Sequence, residues 1–342
     1  MRTITLGSTG ITVPANAFGA LPVQRADTET AIKILRKAYQ GGMTFFDTAR
    51  AYSDSEYKLG LAFRELDRKT YYLATKTQAK DPAAFRQDLE ESLRLLGTDY
   101  VDIYQFHCAD TCFRPGDGTG MYEEMEKAKA EGKIRHIGIT THKIGIAEEV
   151  IESGLYETLQ FPFSYLASER EIALVQKCAD ANMGFIAMKG LCGGILTDSR
   201  ACMAFMSHYP VLPIWGIQRE AELDEWLRFF TEEPKDTPET DAVIAADRKE
   251  LATDFCRGCG YCEPCTAGII IHDCARMSPM IRRSPSARFL SEYWQKEMER
   301  IEDCVGCGLC ESRCPYGLDT PQLLRRNLED YRRIVSGETV LQ

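Results

Sequence analysis

Residues 43–107 read MTFFDTARAYSDSEYKLGLAFRELDRKTYYLATKTQAKDPAAFRQDLEESLRLLGTDYVDIYQFH, and the alternation in this stretch decides the fold. Three short apolar runs, MTFFD (43–47), YYLATK (71–76) and VDIYQFH (101–107), are separated by longer segments, of which Pro82 to Leu96 carries helical periodicity. Strand and helix in repetition are the signature of a parallel sheet covered by helices. Each run also ends on a polar group, Asp47, Lys76 and His107 in turn.

The same pattern extends in both directions. NAFGA (16–20) precedes it, and IRHIGIT (134–140), ETLQFPF (157–163), MGFIAMK (183–189) and VLPIWGI (211–217) follow. Helix-favouring segments run from Glu29 to Gln40, Tyr122 to Glu131 and Ser168 to Ala181. Eight strands with crossover helices over residues 1–230 predict an α/β fold, a (β/α)8 TIM barrel rather than an open doubly wound sheet. The leading segment, Arg2 to Pro14, reads as a hairpin that plugs the barrel's bottom. Chemistry in such barrels sits on the loops at the carboxyl ends of the strands. Asp47, Lys76 and His107 fall there, with Tyr52 on the same rim. Singly, each has an ordinary reading: a helix-capping aspartate, a solvated lysine, a hydrogen-bonded core histidine. Their occurrence together at successive strand ends singles them out.

The chain has 342 residues, 44% of them hydrophobic, and a net charge of −10. That length allows about two domains, and the acidic balance argues against a nucleic-acid surface. No apolar run approaches the roughly 18 residues of a membrane helix. The opening MRTITLGSTG lacks the basic and apolar regions of an export signal, so a cytoplasmic protein without disulfides is expected. Residues 231–250, TEEPKDTPETDAVIAADRKE, interrupt the apolar pattern with prolines and acids and read as a linker between the barrel (1–230) and a second, mainly helical domain (251–342). Within that domain, Ser291 to Ile301 and Pro321 to Val335 read as helices.

Eight of the fourteen cysteines lie in this second domain as two runs, Cys256-x-x-Cys259-x-x-Cys262-x-x-Cys265 and Cys304-x-x-Cys307-x-x-Cys310-x-x-x-Cys314-Pro315. Such spacing suits [4Fe-4S] clusters, and in two-cluster ferredoxins the fourth cysteine of a run ligates the other cluster. The expected sets are therefore Cys256, Cys259, Cys262 and Cys314 around one cluster, and Cys265, Cys304, Cys307 and Cys310 around the second. Two structural zinc sites are the alternative, although zinc motifs usually split their ligands into separated pairs. Cys108, Cys112 and Cys192 read as apolar filler, with Cys108 also placed to line a pocket. Cys274 reads as a spare, or as a substitute for Cys265.

These features resemble the aldo-keto reductase superfamily, in particular bacterial members with a C-terminal ferredoxin-like [4Fe-4S] domain. Asp47-Thr48-Ala49-Arg50-Ala51-Tyr52 is similar to the family's Asp-Thr-Ala-x-x-Tyr motif, Lys76 in LATKT to its lysine, and His107 in DIYQFH to its histidine. CGYCEPC (259–265) and CVGCGLCESRCP (304–315) resemble the iron-sulfur tail. The resemblance implies Tyr52 as general acid, a Lys76 ammonium that pulls the phenol's pKa down, Asp47 holding that lysine, and His107 orienting the substrate oxygen. It implies a nicotinamide site as well. Thr140 and Thr141 stand in place of the family's Ser-Asn pair, Gln160 matches its glutamine, and Met188 stands where many members stack a tyrosine. Gly190, Gly193, Gly216, Gln218 and Arg219 follow the seventh and eighth strands, where barrels commonly bind phosphate; the glycines also suit ordinary turns. Glu220 and Glu222 follow Arg219, which leaves NADPH and NADH both open.

The expected activity is thus that of an oxidoreductase acting on a small carbonyl or alcohol with NADPH or NADH, in an anaerobic setting. Nicotinamide moves two electrons as hydride and an iron-sulfur cluster moves one. Two alternatives therefore stand beside it: a reductase fed through the clusters by ferredoxin, flavodoxin or a flavin, and a non-catalytic iron-sulfur electron carrier. The Ala109 to Gly120 loop, with its glycines, reads as a lid over the substrate.

Overall fold

The computed structural model describes residues 1–251, 255–284 and 286–339. They form two compact units, Met1–Gly190 with Met203–Asp236, and Leu191–Cys202 with Thr237–Gln342. Among the described residues no helix is long and apolar enough to cross a membrane.

The first unit opens with an antiparallel hairpin, β1 (Thr3–Thr5) and β2 (Thr12–Pro14). Eight strands follow: β3 (Ala17–Gly19), β4 (Phe45–Asp47), β5 (Tyr72–Thr77), β6 (Val101–Phe106), β7 (Ile134–Thr140), β8 (Thr158–Pro162), β9 (Gly184–Met188) and β10 (Val211–Gly216). They close into a parallel barrel in which β10 pairs with β3. The expected (β/α)8 architecture is therefore present, with each predicted strand in place. Helices α1 (Thr28–Gln40), α3 (Pro82–Leu96), α4 (Met121–Ala130) and α6 (Glu169–Asp180) fall where the periodicity places them. Their ends carry the usual signals. Asp81 accepts the Ala84 amide, Pro82 occupies the first turn of α3 and left-handed Gly97 ends it. Ser168 and Glu171 form a capping box on α6. Two further helices, α2 (Ser55–Phe63) and α5 (Ile144–Ser153), complete the connections after β4 and β7.

The hairpin closes the amino end of the barrel, as its sequence predicts. Leu6, Ile11 and Val13 pack in one cluster with the inward Phe45, Ala74, Ile103 and Leu212. Gly7 bridges to Met183 just before β9, and a Cβ on Gly7 would lie 2.4 Å from the Asn182 carbonyl oxygen. That approach requires glycine. With the amino end filled by apolar side chains, the inward polar residues gather at the carboxyl end. Lys76 pairs in register with Gln105, and Thr140 with Gln160. Gly138 makes room for this layer, since a Cβ there would lie 2.9 Å from Gln105 Cγ.

Helix α7 (Ser199–Ser207) follows β9, and α8 (Glu220–Arg228) follows β10. Most of the segment expected as a linker is helical. Residues 238–251 form a helix, α9 (Pro238–Leu251), and group with the second unit. Proline at its start, acids in its first turn and Arg248 and Lys249 in its last explain this, because each complements the helix dipole or its unpaired amides. Five short or medium helices follow: α10 (Ile271–Cys274), α11 (Met277–Arg283), α12 (Glu292–Glu299), α13 (Leu309–Ser312) and α14 (Thr320–Val335). Ile269, Met277, Trp294, Met298, Leu324 and Tyr331 form their core. The boundary also departs from expectation in mid-chain, since Leu191–Cys202 leaves the barrel and joins this unit. There Arg276 donates to the Cys192 and Gly193 carbonyls and Arg283 to that of Ile195.

Candidate active site and cysteine-lined cavities

Strands β4 and β5 deliver Asp47 and Lys76 side by side into the barrel's carboxyl end. Lys76 Nζ donates to Asp47 Oδ1 and to the Thr48 carbonyl, each at 2.6 Å. Both side chains are buried. Gln105 joins the pair, a residue that the sequence reading does not single out. Its Nε2 donates to Gln160 Oε1 at 3.0 Å and to Asp47 Oδ2 at 3.5 Å. Gln160 Nε2 reaches Asp47 Oδ1 at 3.5 Å. Burial pushes the Asp47 carboxyl up, and the adjacent ammonium pulls it back.

Tyr52 and His107 face this pair. Their rings meet edge to face with centroids 5.5 Å apart, and Lys76 Nζ lies 5.1 Å from the Tyr52 centroid. The four residues singled out at the strand ends are thus brought together. One expectation is reversed: the phenol is not lowered by Lys76. Burial, then the charges of Asp47 and Cys108, raise Tyr52 well above its ordinary 10. The reason is geometric, because the ammonium is committed to Asp47 and Thr48 while the tyrosine is left in a desolvated pocket. His107 moves the other way, lowered from 6.5 to about 3 by burial and by Lys76. The pocket therefore holds a protonated phenol beside a neutral imidazole over a wide pH range.

Left-handed backbone occurs on loops at both ends of the strands, Asn182 before β9 (φ 51°) among them. Ser53, Cys108, Lys189 and Cys192 have left-handed φ of 38°, 52°, 57° and 47°, and such residues persist where the surroundings over-determine them. Cys108 is half-buried, with its Sγ 4.0 Å from His142 Nδ1. Cys112 and Cys192 are buried, as filler residues would be.

Three of the expected nicotinamide contacts, Thr140, Thr141 and Gln160, hydrogen-bond within the chain. Thr140 Oγ1 accepts the Cys108 amide at 2.8 Å, and Thr141 Oγ1 donates to the Ala109 carbonyl at 2.9 Å. Gln160 serves Gln105 and Asp47, and Met188 ends β9. At the start of α8, Glu222 Oε2 accepts the Gln218 and Arg219 amides at 2.9 and 3.0 Å, and Arg219 Nε donates to Glu222 Oε1 at 2.8 Å. A carboxylate of the chain itself thus sits where a phosphate would be expected. Gly190 packs on Trp215, whose Cζ3 would lie 2.6 Å from an added Cβ, and Gly216 faces Pro22. The Asp47, Lys76, Tyr52 and His107 cluster is arranged for proton transfer, whereas at the α8 start the Gln218 and Arg219 amides are taken by Glu222.

In the second unit, cysteines of both runs line two small cavities. Cys256, Cys259, Cys262 and Cys314 surround one, and Cys265, Cys304, Cys307, Cys310 and again Cys262 surround the other. Gly258, Gly260, Gly306 and Gly308 have positive φ and let the chain turn tightly between thiols. Among the described residues no group of three or more Cys, His, Asp or Glu side chains is placed to hold a metal ion as it stands. Burial raises the Cys262 thiol to about 12 and Cys256 in the same direction. Such thiols give up their protons when metal supplies the compensating charge. Cys304 and Cys307 are exposed, whereas Cys262 is buried and Cys256 partly so. Cys274 lines neither cavity; it is buried, with its Sγ 3.7 Å from the Glu297 carbonyl oxygen.

Two family models match successive parts of the chain. The aldo/keto reductase family model matches residues 10–241, and the 4Fe-4S dicluster domain model matches residues 255–319. The chain is 32% identical over 194 residues to aldo-keto reductase YhdN of Bacillus subtilis (strain 168), covering 53% of this chain and 58% of that protein. It is 32% identical over 213 residues to L-galactose dehydrogenase of Arabidopsis thaliana, covering 56% of this chain and 66% of that one. The chain thus spans less than two thirds of the length of these two relatives. Among solved structures, the holo form of aldo-keto reductase AKR11C1 from Bacillus halodurans superimposes with a TM-score of 0.62 at 19% identity, covering 72% of this chain and 96% of that one.

Proposed function

This chain belongs to the aldo/keto reductase family and carries a 4Fe-4S dicluster domain; on that premise we propose that it interconverts a small carbonyl compound and its alcohol, with NADPH or NADH as hydride source. The observation that carries the reading is the Tyr52–His107 pair above a buried Asp47–Lys76 ion pair. Tyr52, held protonated, donates its proton to the carbonyl oxygen. Neutral His107 donates a hydrogen bond to the same oxygen and stabilises the charge that develops on it. Lys76 returns positive charge to the tyrosine side as the phenolate forms, and Asp47 with Gln105 and Gln160 keeps that ammonium in place. A bound nicotinamide supplies or accepts the hydride. Read in reverse, the same groups take a proton from an alcohol, which suits relatives named both as reductase and as dehydrogenase.

The dicluster domain holds two [4Fe-4S] clusters in this reading, one on Cys256, Cys259, Cys262 and Cys314 and the other on Cys265, Cys304, Cys307 and Cys310. The cysteine lining of the two cavities supports these sets. A second reading keeps the proton chemistry but takes electrons one at a time through the clusters, from ferredoxin or flavodoxin, with a flavin as the possible coupler. The Glu222 carboxylate across the Gln218 and Arg219 amides favours it, because it closes the position where a dinucleotide phosphate is expected.

One experiment separates the two. Intact protein is mixed anaerobically with NADPH or NADH and an aldehyde, while nicotinamide and cluster absorption are followed together. Nicotinamide oxidation that persists when the clusters are destroyed supports the first reading. Turnover with dithionite or reduced ferredoxin alone, lost with the clusters, replaces it by the second.

A further inference from the structure

Arg276 is the one arginine among the described residues that is buried, with 8% of its surface exposed. Its Nη2 donates to the Gly193 carbonyl at 2.7 Å and the Cys192 carbonyl at 3.1 Å, and its Nε has no partner. Among the described residues its hydrogen bonds go to carbonyls and to Met280 Sδ. Burial disfavours its charge and outweighs Cys256, Asp273 and Cys192, which favour it from nearby, and a buried guanidinium bonded to carbonyls in place of carboxylates calls for a further anion beside it.

The surroundings show where. A Cβ on Gly258 would lie 2.2 Å from Arg276 Nη1, and one on Gly193 would lie 2.9 Å from Nη2. The guanidinium is thus pressed between Gly193 and the Cys256–Cys259 turn, and glycine at both positions is what lets it lie there. In that turn the Gly258 amide points at Cys256 Sγ at 3.4 Å. Neighbouring Ala275 lines the cavity of Cys256, Cys259, Cys262 and Cys314.

We propose that Arg276 is the counter-ion of the iron-sulfur cluster held by those four cysteines, and that its charge raises that cluster's reduction potential. The inference rests on the two-cluster reading above. Four thiolates leave such a cluster anionic, and reduction by one electron from a low-potential donor adds one more negative charge with no proton required. A fixed cation in a desolvated setting stabilises the reduced form more than the oxidised form. The cavity with exposed Cys304 and Cys307 has water to screen its charge instead. Electrons that enter at the exposed cluster therefore come to rest at the inner one.

The test is a redox titration of the full-length protein followed by electron paramagnetic resonance, on wild type, R276Q and R276K. Support requires that R276Q make reduction of one cluster at least tenfold less favourable, about 59 mV for one electron, while the other midpoint stays put and R276K stays near wild type. Unmoved midpoints in R276Q overturn the proposal. If R276Q instead sheds a cluster, iron falls from about eight to about four atoms per chain. That loss counts in favour when R276K keeps both clusters, and against when R276K loses the same iron, since only the guanidinium's hydrogen bonds would then matter. Wild type with fewer than two clusters refutes the two-cluster reading itself and is recognised by its iron content alone.

Discussion

The Tyr52 and His107 rings meet edge to face, their planes at 80°. Two titratable groups are driven apart by this shared pocket, one toward permanent protonation and the other toward permanent neutrality. Replacing Tyr52 by Phe keeps the ring packing and removes the proton donor. Turnover of Y52F is expected to fall by about 10²- to 10⁴-fold with an unchanged circular dichroism spectrum. Full activity in Y52F would remove the tetrad from the mechanism.

The same pair fixes a pH dependence. With His107 lowered to about 3 and Tyr52 raised above 10, neither changes protonation between about pH 5 and 9. The rate of carbonyl reduction should therefore show no limb from an imidazole near 6.5. A histidine depressed in the folded state binds fewer protons there than when unfolded, so it makes stability rise with pH between about 3 and 6.5. H107Q should flatten that slope relative to wild type. A kinetic limb at 6.5 that vanishes in H107Q would sink the assignment.

Lys76→Met leaves the Asp47 carboxylate buried among Gln105 and Gln160 with no ammonium, a loss of about 3–5 kcal/mol. The double change K76M with D47N should recover much of it. Trp215 stacks on Trp226 at 4.0 Å and 11°, which gives near-ultraviolet circular dichroism a reporter of the barrel during denaturation. Equal instability of the single and double variants would show that the pair is not coupled.

The cysteine sets predict which substitutions are equivalent. C256S and C314S should weaken the same paramagnetic signal, and C265S and C304S the other. If C304S and C314S instead remove one signal between them, the runs do not cross.

Glu222→Ala opens the Gln218 and Arg219 amides. Where the nicotinamide reading holds, NADPH should bind several-fold tighter to E222A than to the wild type, measured by fluorescence quenching, because an internal anion no longer competes at the α8 start. Looser binding, or none in either protein, shifts the balance to electrons supplied by the clusters.

Much of the barrel was legible because its strands are buried on both faces and read as continuous apolar runs, three successive ones closed by a polar residue. Asp47, Lys76 and His107 stood out for that reason. Gln105 did not, since a polar residue inside VDIYQFH carries no sign of whether it points inward, and that depends on the space left by Gly138. The direction of the Tyr52 shift was likewise hidden, because it turns on whether Lys76 serves the phenol or Asp47. The helix at 238–251 was masked by prolines and acids that suit a linker as well as a helix start. Arg276, within RMSPMIRR, looks like any surface arginine until the turn at Gly258 folds over it.

The second unit takes Leu191–Cys202 from the middle of the chain, and this makes the tail something other than a detachable cassette. A cut before Thr237 would carry away the Cys192 and Gly193 carbonyls that receive Arg276. Grafting the cysteine-rich segment onto another barrel would therefore transfer the metal-binding thiols and Arg276 without the Cys192 and Gly193 carbonyls that hold its guanidinium. Evolutionary shuffling of this module is constrained accordingly: a host must supply not just an end to fuse to, but a matching loop after its seventh strand.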